Sequence, residues 1–243
     1  MTVGARFTVL PDPDAVADAA ADRFVSAARD AIAARNVFRV ALSGGSTPKA
    51  VYPRLLEPTR RDAVDWSRVE FFWGDERAVP PDDAESNFGV AYRMLLTKLP
   101  DVRTDRIHRM QAEAQDIDAA ALVYEAELRL AFRVVGDDPP AFDLIWLGMG
   151  PDGHTASLFP GSEALGETTR WVVGNWAPEL ATWRMTMTYP VLNAGRDVIF
   201  VVTGADKQDA LARIRAGGSG LPADGVRASS VEWLVDEAAA AAP

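Results

Sequence analysis

Residues 148–154 of this 243-residue chain combine three glycines with an aspartate and a histidine, in the order Gly-Met-Gly-Pro-Asp-Gly-His. A histidine titrates near neutral pH, so His154 could take a proton from a water molecule and return it later. Asp152 stands two residues earlier and could orient the imidazole ring. The glycines let the backbone approach a bound molecule closely. We therefore expect His154 to be functional, with a structural histidine as the alternative.

Three further segments place polar residues directly after an apolar run. Residues 43–48, Ser-Gly-Gly-Ser-Thr-Pro, combine glycines with the start of a helix. This arrangement suits a phosphate group, although a capped tight turn would look the same. Asp75 and Arg77 could bind sugar hydroxyls or an anion, or could form a surface salt bridge. Lys207 begins a later helix, as a phosphate ligand or as a solvent-exposed lysine.

Two other residues carry weaker signals. The segment 183–189 alternates in the manner of a strand, and Arg184 near its start could be a second phosphate ligand or a charge at a strand edge. His108, the second histidine of the chain, is predicted to lie in a short strand and to be structural.

The composition argues against several kinds of site. With no cysteine and two histidines, a zinc site would need mostly carboxylates, so we expect neither a metal nor a cofactor. No Walker loop, dinucleotide-binding glycine motif or nucleophile elbow occurs. Acidic residues outnumber basic ones by 35 to 25, which argues against a nucleic-acid or membrane partner. We expect a cytoplasmic protein without a signal peptide or membrane helix.

The elements that would position these residues alternate between strand and helix. Short apolar runs predict buried strands at 38–42, 69–73, 142–147 and 197–202. Start signals predict helices beginning at Asp12-Pro13, Thr47-Pro48, Ser86, near Asp118, and at Asp206. This order predicts an α/β fold, a doubly wound, mainly parallel sheet flanked by helices, in a single domain over residues 1–243. Ligands bind at the carboxyl ends of such strands, so the polar segments should meet there.

Taken together, the segments 43–48, 73–77, 148–160 and 204–207 resemble the glucosamine-6-phosphate isomerase/6-phosphogluconolactonase family. The resemblance covers roughly residues 10–236, in the family's order. It implies a modified Rossmann-like sheet, which this family shares with the glucosamine-6-phosphate deaminases. It also implies hydrolysis of 6-phospho-D-glucono-1,5-lactone to 6-phospho-D-gluconate, in the oxidative pentose phosphate pathway.

The same resemblance implies a role for each candidate residue. His154 would be the general base, and we add Asp152 as its catalytic neighbour. Asp75 and Arg77 would lie near the sugar, and Arg77 or the amides of the 150–153 loop could stabilise the oxyanion. The phosphate would be bound by Ser43, Gly44, Gly45, Ser46, Thr47, Arg184 and Lys207. The expected partner is a small phosphosugar lactone, and the expected assembly is a monomer.

Two departures from the deaminase pattern favour a hydrolase. Deaminases carry a glutamate five residues after the histidine, where this chain has Phe159. Their acidic pair after the second strand precedes a tyrosine, where this chain has Arg77. A deaminase or isomerase stays an alternative, as does a non-catalytic sugar-phosphate sensor. The sensor would need a DNA-binding segment, and no basic helix-turn-helix stretch is visible.

Overall fold

The apolar runs of the sequence form the strands of a parallel sheet. The structure, a computed structural model, describes residues 5–241, apart from the side chains of Ser46 and Thr47. Its strands are β1 (Arg6–Leu10), β2 (Phe38–Leu42), β3 (Val69–Trp73), β4 (Asp75–Arg77), β5 (Leu144–Leu147), β6 (Val172–Ala177), β7 (Thr182–Met187), β8 (Val198–Val202) and β9 (Val231–Asp236). Six of them form one parallel sheet in the order β1-β9-β8-β5-β2-β3.

Helices connect and cover these strands. They are α1 (Pro13–Arg35), α2 (Ser46–Leu55), α3 (Pro58–Arg61), α4 (Asn87–Met94), α5 (Ile117–Phe132), α6 (Tyr189–Ala194), α7 (Gln208–Ala216) and α8 (Glu237–Ala240). Side-chain carboxylates and a hydroxyl accept hydrogen bonds from first-turn amides in three of the longer helices. Asp12 caps α1, Ser86 caps α4 and Asp116 caps α5. Within residues 5–241, no helix is both long and apolar enough to cross a membrane.

Continuous apolarity, rather than alternation, marks the inner strands because helices cover both faces of the sheet. All five residues of β8 and all four of β5 are buried. Phe72 and Phe200 pack into the cluster on one face, whereas Phe71 and Ile199 pack into the cluster on the other. The centre of the sheet, β5 and β8, is therefore apolar on both faces, and we expect the polar chemistry at the edge of the sheet.

A second, smaller sheet stands beyond the carboxyl end of β3. Gly74 alone separates β3 from β4, and the antiparallel order is β4-β7-β6. The Gly74 carbonyl accepts a hydrogen bond from the amide of Met187 in β7, at 2.8 Å. The register pairs Asp75 with Thr186 and Arg77 with Arg184. This sheet therefore continues the main sheet at the edge where ligands are expected.

The predicted fold class and the four predicted strands are confirmed, two of them to the residue. The sequence did not reveal β1, β9 or the small antiparallel sheet as a unit, although 183–189 was expected to be extended. The predicted short strand at His108 is wrong. Only an isolated bridge joins Ile107 to Phe71, because the chain leaves the edge of β3 immediately afterwards.

Candidate active site

A cleft of about 240 Å³ lies at the carboxyl ends of β2, β5 and β8, beside β4. The four polar segments singled out in the sequence all contribute to it, as the rule for open parallel sheets requires. Its lining includes Ser43, Gly44, Gly45, Asp75, Arg77, Gly148, Gly150, His154 and Lys207. The structure thus brings together most of the predicted site residues.

His154 is held by its neighbour in the loop that follows β5. Its Nδ1 lies 2.6 Å from Oδ1 of Asp152, and its backbone amide donates to the same oxygen at 3.1 Å. A Cβ at position 150 would overlap the imidazole ring and the Asp152 carboxylate, so this turn requires glycine. Among the described residues, no group hydrogen-bonds Nε2. The ring is therefore fixed through one nitrogen while the other is available beside the cleft.

Phe159 packs against the ring of His154, with 4.7 Å between ring centroids and 40° between planes. The position that carries an acid in the deaminase pattern therefore holds an apolar ring in direct contact with the imidazole.

The predicted oxyanion donors of the 150–153 loop are only partly available. The Gly150 amide donates to the His154 carbonyl at 2.9 Å, and the Gly153 amide donates to the Gly150 carbonyl at 3.0 Å. Pro151 has no amide hydrogen. Because the turn uses both glycine amides itself, neither is free to donate to an oxyanion, and the Asp152 amide is the one candidate of this loop that donates to no described acceptor. Arg77 stays a candidate, since it lines the cleft.

Asp75 is buried rather than part of a surface salt bridge. Its Oδ2 accepts a hydrogen bond from Oγ of Ser157 at 2.7 Å, and its Oδ1 accepts one from Nδ2 of Asn87 at 3.2 Å. Sequence reasoning did not single out Ser157 or Asn87. Ser157 lay within the segment 148–160, and Asn87 directly follows the predicted helix start at Ser86. The sequence therefore showed two polar residues near the expected site, but it did not show that they bind Asp75.

Arg77 and Arg184 lie opposite each other across β4 and β7. Burial lowers the pKa of the Arg184 guanidinium, and the nearby positive charge of Arg77 lowers it further. Arg77 donates from Nη1 to the Glu85 carbonyl at 2.6 Å, whereas Arg184 forms no ion pair with the described residues. The carboxylates of Asp75, Glu85 and Glu76 offset part of this positive charge, and two adjacent guanidinium groups could still attract an anion. Arg184 borders this region but is not among the residues that line the cleft itself.

The glycine loop after β2, residues 43–48, packs closely against helix α4, as its two glycines predicted. A Cβ at Gly44 would overlap the side-chain amide of Asn87, and Gly45 has φ of 103°, which favours glycine. Oγ of Ser43 is buried and hydrogen-bonds none of the described atoms. Helix α2 begins directly after this loop, at Ser46. The predicted side-chain contacts of Ser46 and Thr47 lie outside the described part of the structure.

Lys207 contributes the remaining cation of the cleft. It ends the 3₁₀ turn Ala205–Lys207 that leads into α7, and its Nζ lies 2.7 Å from Oδ2 of Asp206. Its side chain is 18% exposed, so it is not a solvated surface lysine. Over residues 5–241, no group of three or more histidine, aspartate or glutamate side chains is placed to hold a metal ion.

Comparisons with known proteins agree with this geometry. Residues 11–235 match the family model of glucosamine-6-phosphate isomerases/6-phosphogluconolactonase. The chain is 40% identical over 241 residues to the 6-phosphogluconolactonase of Mycobacterium tuberculosis, covering 96% of each. It resembles the solved 6-phosphogluconolactonase of Trypanosoma cruzi with a TM-score of 0.85 and 30% identity, covering 99% and 97% of the two chains. A solved monomeric glucosamine-6-phosphate deaminase shares the fold, with a TM-score of 0.80 at 19% identity, covering 97% and 98%. The chain therefore belongs to the glucosamine-6-phosphate isomerase/6-phosphogluconolactonase family.

Proposed function

We propose that this chain hydrolyses 6-phospho-D-glucono-1,5-lactone to 6-phospho-D-gluconate in the oxidative pentose phosphate pathway, with His154 as the general base. The lactonase names of relatives that match nearly the whole chain support the substrate. The observation that carries the chemistry is the 2.6 Å contact between Asp152 and Nδ1 of His154 at the edge of the cleft.

That contact selects the tautomer of His154. An ionised carboxylate can only accept hydrogen bonds, so Asp152 keeps the proton on Nδ1 and the lone pair on Nε2. Nε2 then takes a proton from a water molecule while the water oxygen attacks the lactone carbonyl carbon. When the tetrahedral intermediate collapses, the imidazolium returns the proton to the departing ring oxygen. One nitrogen thus serves as base and then as acid.

Cationic groups supply the binding and the electrostatic stabilisation. Arg77 lines the cleft and is our candidate for the developing oxyanion. The phosphate would be bound by Lys207, by Arg184 beside the cleft, and by the loop 43–47 at the beginning of α2. Local clustering of these cations lets a chain of net charge −10 bind an anionic substrate. A lactone is an activated ester, so general-base catalysis worth roughly 10²–10⁴-fold, together with positioning, suffices.

Phe159 supports hydrolysis over isomerisation or deamination. A sugar isomerase moves a proton between neighbouring carbons and needs a second acid or base near the first. Here an apolar ring lies against His154 at 4.7 Å between centroids. Lactone hydrolysis needs only the one imidazole.

The test is a coupled assay. Glucose-6-phosphate dehydrogenase generates the lactone in situ, and formation of 6-phosphogluconate is followed with and without this protein. We expect a rate well above spontaneous hydrolysis and no ammonia release from glucosamine 6-phosphate. A lactonase rate equal to the spontaneous one would refute the proposal, and ammonia release would reassign the chain to the deaminases.

The finer expectations belong to the same proposal. We propose a monomeric, cytoplasmic, metal-independent enzyme with one α/β domain and no nucleic-acid or membrane partner. The absence of cysteine, the two histidines and the acidic composition support it. Turnover should survive chelators, light scattering should give a mass near 26.3 kDa, and unfolding should show one cooperative transition.

A further inference from the structure

Ser157 lies at the centre of a buried hydrogen-bond cluster that the mechanism above does not use. Its Oγ donates to Oδ2 of Asp75 at 2.7 Å, and its amide donates to Oγ1 of Thr186 at 3.2 Å. Its carbonyl accepts from Nδ2 of Asn175 at 2.7 Å. The residue is 1% exposed and does not line the cleft. Three residues after His154, the loop is therefore bonded to all three strands of the small antiparallel sheet.

Of the two residues between the histidine and this anchor, Ala156 has a strained backbone. Ala156 has φ of 48°, a left-handed conformation that a residue with a Cβ adopts only when its surroundings impose it. On its other side, buried Thr155 donates from Oγ1 to the Gly148 carbonyl at 2.8 Å. The two hydroxyls thus anchor both sides of the turn, and Ala156 itself lines the cleft.

We propose that Ser157 is a positioning residue for the lactone hydrolysis. Its hydrogen bond to Asp75 holds the left-handed turn at Ala156, and the turn fixes His154 relative to the residues of β4. The inference rests on the proposed function, and it adds a requirement: the loop after β5 must be attached to the small sheet for the base to reach the attacking water. Small misplacements of a base cost large rate factors.

Ser157→Ala, compared with Thr188→Val, tests this role in the full chain. Thr188 is also fully buried, and its Oγ1 donates to the Arg170 carbonyl at 2.6 Å, away from the cleft. We expect Ser157→Ala to lower kcat about 10-fold, with the KM for the lactone and the Kd for 6-phosphogluconate within about twofold. Thr188→Val should lower Tm but change kcat by less than about twofold. Equal kcat values in the two variants would overturn the proposal.

A second readout does not depend on turnover. The chain has two histidines, so the ring nitrogens of His154 and His108 can be resolved by ¹⁵N NMR of the imidazoles. Ser157→Ala should shift or broaden the His154 resonances and leave those of His108 in place. Unmoved His154 resonances would overturn the positioning role even in an active lactonase. A wild-type chain without lactonase activity would instead refute the proposed function, whatever the spectra show.

A double variant keeps the test decisive if Ser157→Ala folds poorly. In Ala156→Gly/Ser157→Ala, glycine adopts positive φ without strain, so the turn no longer needs the serine to hold it. We expect the double variant to be more stable than Ser157→Ala and to recover part of the lost kcat. If the double variant recovers no more kcat than Ser157→Ala alone has, the hydroxyl does not act by holding the turn at Ala156, and the positioning role is refuted.

Discussion

The two histidines of the chain make nearly the same hydrogen bond in very different regions. Nδ1 of His154 lies 2.6 Å from Asp152, and Nδ1 of His108 lies 2.7 Å from Glu127. The His108 ring stacks on Phe72, with 4.3 Å between centroids and 9° between planes, and its side chain is 14% exposed. The His154 side chain is 30% exposed and borders the cleft. A carboxylate–imidazole pair alone is therefore not enough to identify a functional site. The distinguishing property is whether Nε2, the other ring nitrogen, is accessible from a cleft.

The backbone around each histidine explains the difference in access. His108 follows a 3₁₀ turn, and its amide donates to the Phe71 carbonyl at the edge of β3, which draws the ring onto Phe72. His154 follows a glycine-rich loop at the carboxyl end of β5, where the backbone can fold back under the ring. The same pair thus lies in aromatic packing at a sheet edge in one case and beside a cleft at a strand end in the other.

Replacing each histidine gives the largest expected contrast. We expect His154→Gln to lower lactonase kcat by about 10²–10⁴-fold with little change in the Kd for 6-phosphogluconate, because the amide cannot accept a proton from water. His108→Gln should keep kcat within about twofold and lower the free energy of unfolding by about 1–2 kcal/mol. Steady-state kinetics and denaturant unfolding measure both. Equal loss of binding and turnover in His154→Gln would make His154 a binding or structural residue.

Replacing the carboxylate partner of each histidine should give the same contrast in kcat, but a smaller one. In Asp152→Asn the amide can donate to Nδ1, which favours the tautomer with its proton on Nε2 and removes the base. We expect a fall in kcat of about 10²-fold. Glu127→Gln should leave kcat within about twofold. If both variants keep the wild-type rate, the proposed role of Asp152 is wrong.

Gly150 tests whether the close backbone beneath the ring matters. A Cβ there would overlap both His154 and Asp152, whereas a Cβ at Gly166 would meet nothing within 4 Å. We expect Gly150→Ala to lower kcat roughly 10- to 100-fold through displacement of the ring. Gly166→Ala should be nearly neutral in kcat and Tm. Neutral behaviour of Gly150→Ala would show that the loop adapts without cost.

Much of this comparison was accessible from the sequence because it depends on local signals. Apolar runs predicted the buried strands, and the rule that ligands bind at carboxyl ends brought 43–48, Asp75, Arg77 and His154 to one edge. His154 stood in a glycine-rich loop, whereas His108 did not. These are properties of short segments, which a single sequence displays directly.

What the sequence did not reveal depends on long-range pairing. Asp75 and Arg77 were expected at the end of a strand, but the sequence did not show that they form a strand of their own, β4, because β7, more than a hundred residues later, pairs with it. The same pairing creates the partners of Ser157 and the proximity of Arg77 to Arg184. The turn bonds that occupy the Gly150 and Gly153 amides are equally invisible without coordinates.

The smallest expected effect is on substrate binding, measured as KM, and not on kcat. It tests whether the cleft beside His154 binds the phosphate of the substrate through Lys207. Lys207 lines the cleft, whereas Lys98 is exposed at the end of the turn Leu96–Lys98. We expect Lys207→Ala to raise KM about 10-fold with kcat little changed, since a charged hydrogen bond contributes roughly 1.5–3 kcal/mol. Lys98→Ala should leave KM unchanged. Nζ of Lys207 lies 2.7 Å from the Asp206 carboxylate, so an unchanged KM in Lys207→Ala would mean that this ion pair persists in the complex and that Lys207 does not bind the phosphate.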